Sequence, residues 1–274
     1  HVYGQVSFSG GNPLLHPRFF EIYQAAADRG FMTAILGNPV SPEVLARIKA
    51  VRMPEFYQVS LEGLPEHNDF IRGSGFFDRV MRFLDDLRAA GIYSMVMLTL
   101  TRGNLDQVLP LAERLRGRAD LFTFNRLSMV GEGAQLQTPG RDEYERFLRD
   151  YLAARRANPV MGVKDNLINI IRLQQGEELF GGCTGFGCGA AFNFAALLPD
   201  GEVHACRKFP SPLGSIRNRP LAEIYDSAAA DRYRKRSAAC LECRIRHVCG
   251  GCLAVTASHG LDIVRDVDPC CFMA

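Results

Sequence analysis

Short apolar runs alternate with longer segments of helical period over the first half of the chain. Runs rich in Val, Ile, Leu and Phe at Gly4–Ser9, Phe31–Leu36, Phe56–Leu61, Ile92–Thr101 and Leu121–Leu127 predict strands. Between them, Pro17–Arg29, Pro42–Val51, Phe76–Ala90 and Leu105–Leu115 predict helices. In the third of these, Phe76, Phe77, Val80, Phe83, Leu84 and Leu87 recur at helical spacing and form one apolar stripe. Gly30 and Gly91 follow two of the helices, where a left-handed cap favours glycine. This alternation predicts parallel strands joined by right-handed crossovers, either part of a barrel or a doubly wound sheet.

A further helix is expected from about Arg141 to Arg156, then a mixed stretch over Asn166–Phe180 and a Gly- and Cys-rich part from Gly181. Within that part, Ala195–Leu198 and Val203–Ala205 read as two short strands around Asp200-Gly201, a pair suited to a tight hairpin. A domain boundary is expected near residue 160, dividing the chain into 1–160 and 161–274. No internal repeat is visible.

Bulk composition narrows the function classes. The 274 residues are 47% hydrophobic and 23% charged, with a net charge of +2, enough for a sizeable core and without the charge excess that nucleic acid or a membrane surface would favour. No apolar run reaches the roughly 18 residues needed to span a bilayer, and no signal peptide opens the chain. A cytoplasmic protein is expected.

The nine cysteines change the picture, because all of them follow residue 182. Thiolates gathered at short spacings suit soft metal centres, which take several sulfur ligands at once. The pattern runs C-x12-G-x4-C from Cys188 through Gly201 to Cys206, then Cys240-x2-Cys243-x5-Cys249-x2-Cys252, and ends in Cys270-Cys271; Cys183 precedes it. Taken alone, Cys240 to Cys252 fits a structural zinc as well as an iron–sulfur cluster. With the remainder, the thiols suffice for two four-cysteine sites and one is left over. His16, His204, His247 and His259 are isolated and read as surface or packing residues. Glu177-Glu178 and Asp85-Asp86 read as solvated helix faces.

This cysteine arrangement resembles the SPASM extension of radical S-adenosylmethionine (SAM) enzymes, which carries two auxiliary 4Fe-4S clusters. The gap between Cys249 and Cys252 is two residues where many members have three. The resemblance implies one cluster on Cys183, Cys188, Cys206 and Cys252. A second falls to Cys240, Cys243, Cys249 and either Cys270 or Cys271, with Cys270 slightly favoured.

The first half resembles the same family. Ser9-Gly10-Gly11-Asn12-Pro13, directly after a strand, looks like its Gly-Gly-Glu-Pro loop, which grips the amino group of SAM; here Asn12 stands for Glu. Glycines let backbone carbonyls approach a ligand closely, and Pro fixes the loop. Gln58-Val59-Ser60-Leu61-Glu62-Gly63, followed by Glu66-His67-Asn68 and Ile71-Arg72-Gly73, is similar to the family's strand and loop V-S-L-D-G, H-D, I-R-G. The resemblance implies that Gly10, Gly11, Asn12 and Pro13 bind the cofactor, with Ser60 and Arg72 at its carboxylate. Without the flanking match, Arg72 reads as a loop arginine paired with Glu66 or Asp69. Asn38 sits where members often carry Thr-Asn-Gly at a strand end, and otherwise reads as a turn residue.

Two departures bear on activity. The C-x3-C-x2-C motif that holds the SAM-cleaving cluster in the family is absent from the sequence, which starts at His1 and enters a strand-like run. The resemblance implies that this motif, and a third 4Fe-4S cluster, belong upstream in an intact enzyme, so that this chain alone is inactive. Arg207 follows Cys206 where sulfatase-maturing members carry an acid, which argues against formylglycine formation.

The expected fold is a partial (β/α)6 barrel, strands two to six, followed by a SPASM domain. The expected function is a maturase that generates a 5′-deoxyadenosyl radical to modify a ribosomal peptide or protein side chain. Its electron donor would be a flavodoxin or ferredoxin, with neither nucleic acid nor membrane as partner. The alternatives are a small-molecule member acting on a cofactor or haem, and a noncatalytic zinc- or cluster-bearing interaction module.

Overall fold

The computed structural model describes residues 4–182 and 185–273; Cys183 lies outside the described residues. Two compact units divide the chain. The first runs to Asn125 and resumes over Tyr151–Gly162, and the second takes in Arg126–Asp150 and everything from Val163 onward.

The first unit is built on a five-stranded sheet in the order β1 (Gln5–Phe8), β2 (Met32–Leu36), β3 (Phe56–Ser60), β4 (Ser94–Leu100), β5 (Leu121–Arg126). β1 through β4 pair in parallel. Helices α1 (Phe19–Asp28), α2 (Pro42–Val51), α3 (Pro65–Arg72), α4 (Phe76–Ala90) and α5 (Val108–Leu115) fill the crossovers. Val160–Gly162 then adds a short parallel bridge beside Phe122, through Phe122 N–H to Val160 O at 2.6 Å and Gly162 N–H to Phe122 O at 2.7 Å. The predicted stripe of α4 is buried, and Phe83 meets the buried Tyr57 of β3 edge to face, ring centres 5.1 Å apart. Such aromatic pairs add about 0.5–1.5 kcal/mol beyond their buried area.

α3 corrects the expectation of a loop over Glu66–Gly73. Its sequence hides the helix because the pattern is inverted: Asn68 is fully buried while Phe70 is 90% exposed. Pro65 opens the first turn, and Asn68 Oδ1 accepts the Glu62 N–H at 3.0 Å, a tertiary contact that no periodicity announces.

In the second unit, α6 (Arg141–Arg155), which continues into the first, and α7 (Ile168–Gln175) precede the cysteines; α7 occupies the stretch read as mixed. The expected hairpin forms as β6 (Ala196–Leu197) and β7 (Glu202–His204), and β8 (Pro212–Ser215) extends it to three antiparallel strands. Helices α8 (Leu221–Tyr225), α9 (Ala228–Arg234) and α10 (Leu253–Ser258) complete the unit. Among the described residues, no helix is long and apolar enough to cross a membrane.

Candidate cofactor and cluster sites

The groups expected to bind SAM lie at the C-terminal ends of the parallel strands, where α/β folds gather ligands. After β1 the chain turns through Gly10 and Gly11, whose φ angles of 100° and 73° side chains rarely adopt. Asn12 is extended and its carbonyl starts a 3-10 turn over Pro13–Leu15, but its side chain does not cap that turn. Asn12 Oδ1 is buried with no hydrogen-bond partner. It points at Gly37, after β2, where an added Cβ would lie 3.0 Å from Asn12 Oδ1 and 3.1 Å from Tyr57 Oη. Tyr57 Oη donates to the Asn38 carbonyl at 2.7 Å, and burial raises its pKa, so it remains a donor. Asn12, Asn38 and Tyr57 thus share one corner, and Ser60 closes β3. An orphaned acceptor there suits an ammonium donor.

Arg72, in the last turn of α3, pairs with Glu62 rather than with Glu66 or Asp69. Its Nε lies 3.1 Å from Glu62 Oε1, and its Nη2 also donates to that oxygen. Glu62 Oε2 accepts the Thr99 N–H at 3.0 Å. A guanidinium has five N–H donors, and this pair engages two. Asp69 accepts the N–H groups of Gly75 at 2.6 Å and Phe77 at 2.8 Å, fastening the start of α4 and holding its own carboxyl below the usual range. The sequence reading missed Glu62 and Tyr57 as site-forming residues. The one signal for Glu62 was its place in the V-S-L-x-G stretch.

In the second unit seven of the eight described cysteines fall into two places. Cys206, after β7, is buried in an apolar cluster with Val203, Leu213 and Leu253, and Cys188 and Cys252 pack against it. Cys240, Cys243, Cys249 and Cys271 line a separate small cavity, walled by Leu167 and Ile170. Cys270 does not line it; its sulfur faces the Pro139 carbonyl at 3.8 Å. Cys206, Cys240, Cys243, Cys249, Cys252, Cys270 and Cys271 are free thiols. Among the described residues, no three His, Cys, Asp or Glu side chains converge as ligands of a single ion. A 4Fe-4S cluster takes one thiolate per iron and spreads its ligands around a larger body.

Buried amides hold the cavity's loop. Asn166 Nδ2 donates to the carbonyls of Cys249 at 3.3 Å and Gly251 at 2.9 Å, and Asn169 Nδ2 to that of Val248 at 3.1 Å. Burial, then neighbouring thiols, raise Cys240. Burial pushes Cys249 up to about 12 and Cys270 up to about 11. Such thiols stay protonated at neutral pH without metal, so loading a cluster releases protons. Gly251 N–H donates to Cys249 Sγ at 3.4 Å, and Lys208 N–H to Cys206 Sγ at 3.5 Å, contacts that favour the thiolate.

Beside the cavity lies a buried ionic group, Arg126 with Asp165 and Asp268. Arg126 Nε meets Asp165 Oδ2 at 2.8 Å, and its two terminal nitrogens meet the two oxygens of Asp268 at 2.7 Å each. The Tyr144 ring lies 5.2 Å from the guanidinium carbon. Burial acts to raise Asp268, but Arg126 prevails and holds its carboxyl below the usual range. Nothing in the sequence marked this group.

A parallel sheet with a glycine turn and an unpartnered Asn12 oxygen at its strand ends, and a unit with four thiols lining one cavity, give the frame of an α/β protein with a cysteine-rich extension. Residues 2–115 match the model of the radical SAM superfamily, and residues 188–252 match SPASM, an iron–sulfur cluster-binding domain. The chain belongs to the radical SAM enzymes that carry a SPASM domain. It is 26% identical to the AdoMet-dependent heme synthase of Methanosarcina barkeri over 96% of its own length and 81% of that protein's. It is 30% identical to the mycofactocin maturase MftC of Mycobacterium tuberculosis over 73% of its length, spanning about half (51%) of that relative. Native anSMEcpe with bound AdoMet and a peptide has the same fold, with a TM-score of 0.69 at 16% identity over 98% of this chain and 81% of that one.

Proposed function

We propose that this chain is the SAM-binding and auxiliary-cluster portion of a maturase that modifies a side chain of a ribosomal peptide or protein in the cytoplasm. The observation that carries the reading is the convergence of Cys240, Cys243, Cys249 and Cys271 on one cavity. These four would hold one 4Fe-4S cluster, and Cys188, Cys206 and Cys252, together with Cys183, a second. Cys271 rather than Cys270 is the fourth ligand in this reading, which is supported by Cys271 lining the cavity and by the Cys270 sulfur facing Pro139. Bound SAM would supply radical hydrogen-abstraction chemistry in an enzyme that also holds the SAM-cleaving cluster, with electrons from a flavodoxin or ferredoxin. The residues of this chain bind and orient: Asn12 Oδ1 accepts the methionyl ammonium, Gly10, Gly11 and Pro13 shape the loop, and Asn38 and Ser60 line the corner. Arg72, braced by Glu62, offers its remaining donors to the carboxylate. Glu62 fixes the guanidinium so that little rotamer entropy is lost on binding.

Anaerobically prepared protein is expected to hold about eight irons, with matching acid-labile sulfide and broad absorbance near 400 nm, as two four-iron clusters require. Two zincs in a colourless sample would refute the cluster assignment. Gly37→Ala places a methyl against Asn12 Oδ1 and Tyr57 Oη, and overpacking of this kind costs about 1–3 kcal/mol. Equilibrium binding of SAM is expected to weaken about tenfold, with the cluster content unchanged.

The haem synthase relative favours a second reading, a tetrapyrrole substrate. Titrating the protein with a porphyrin and with a short Gly- or Cys-rich peptide encoded beside it separates the two. A Soret shift with no peptide binding selects the tetrapyrrole.

A further inference from the structure

Asp268 touches main chain belonging to both cysteine places. Its Oδ2 accepts the Cys252 N–H at 2.8 Å, and its Oδ1 accepts the Cys270 N–H at 3.0 Å. Its own carbonyl accepts the Cys271 N–H at 2.8 Å. Cys252 packs with Cys206, whereas Cys271 lines the cavity, so the carboxylate fixes one set at Cys252 directly and the other through the Cys270 amide, one residue before Cys271. The carboxylate is itself immobile, with its side chain 1% exposed and forked on Arg126, which is 2% exposed. The close approach is built in: a Cβ on Gly251 would lie 2.7 Å from Asp268 Cβ.

We propose that Asp268, clamped by Arg126, is a positioning residue that sets the divergence of Cys252 and Cys271, sending one sulfur to each of two metal centres. Four charge-assisted hydrogen bonds meet on its two oxygens, each stronger than a neutral one, and both side chains of the fork are almost fully buried. The pairing matters because Cys249 and Cys252 are separated by two residues only, yet they serve different places. Something outside that short loop must hold the turn, and Asp268 does so from the far end of the chain.

The proposal rests on reading the cysteines as cluster ligands, but its test is done on reduced, metal-free protein. Asp268→Asn keeps the shape and loses half the fork and one amide acceptor. Asp165→Asn removes the other carboxylate from Arg126, but Asp165 accepts no amide of a cysteine. Alkylation followed by mass spectrometry is expected to label Cys252 and Cys271 about tenfold faster in Asp268→Asn, with Cys243 as internal reference, and no faster in Asp165→Asn. Equal acceleration of all thiols, or of the same two in both variants, describes a merely structural ion pair and overturns the proposal. Hydrogen exchange on the unaltered protein needs no variant: the Cys252 and Cys270 amides must exchange at least about tenfold slower than amides of exposed turns, and equal rates overturn it. Iron analysis of the loaded protein judges the cluster reading separately.

Discussion

Replacing Cys271 with alanine is expected to remove about four of the roughly eight irons, whereas Cys270→Ala leaves the iron count unchanged. The two residues are neighbours and look interchangeable in sequence. Their surroundings differ. Cys271 joins Cys240, Cys243 and Cys249 around the cavity, and the Cys270 sulfur is buried against the Pro139 carbonyl. A centre with three thiolates loses a bond that neither water nor an adjacent buried thiol replaces without moving the main chain, which Asp268 holds on both sides. Metal analysis of the two variants, prepared side by side without oxygen, measures the effect. Iron lost from Cys270→Ala and retained in Cys271→Ala would reverse the assignment.

Arg126→Met is expected to lower the stability of the second unit by about 3–5 kcal/mol, because it strands Asp165 and Asp268 in a buried site. That is a large share of the roughly 5–15 kcal/mol that holds most domains together. Urea unfolding followed by a probe in this unit measures the shift in midpoint. The variant Arg126→Met, Asp165→Leu, Asp268→Leu removes all three charges and is expected to recover part of the loss. Recovery stays incomplete, since the Cys252 and Cys270 amides lose their acceptor at about 1–3 kcal/mol each. A loss below about 1 kcal/mol in the single variant would mean that water reaches the pair.

The legible parts of the fold are those written in periodicity. The alternation of β1 to β5 with amphipathic helices could be read because each element repeats its apolar positions at its own period, as the stripe of α4 shows. α3 was not legible, because its buried position is Asn68 and its exposed one Phe70. Arg72 shows the same limit at the ends of the parallel strands. Its neighbours in sequence named Glu66 and Asp69 as partners, while the fold supplies Glu62, ten positions away on the strand end it faces.

By itself, the sequence determined the family, the parallel α/β half, the cysteine-rich half and the glycine turn after the first strand, because spacing and residue type carry that information locally. Only the tertiary structure set Cys271 on the cavity and the Cys270 sulfur against Pro139, gave Arg72 its partner, left the Asn12 oxygen unpartnered, and gathered Arg126, Asp165 and Asp268 around the cysteine loops. These are contacts between groups far apart along the chain, up to 142 positions for Arg126 and Asp268. Their energy comes from burying charge and amide together, and no local pattern records which distant partner will be there.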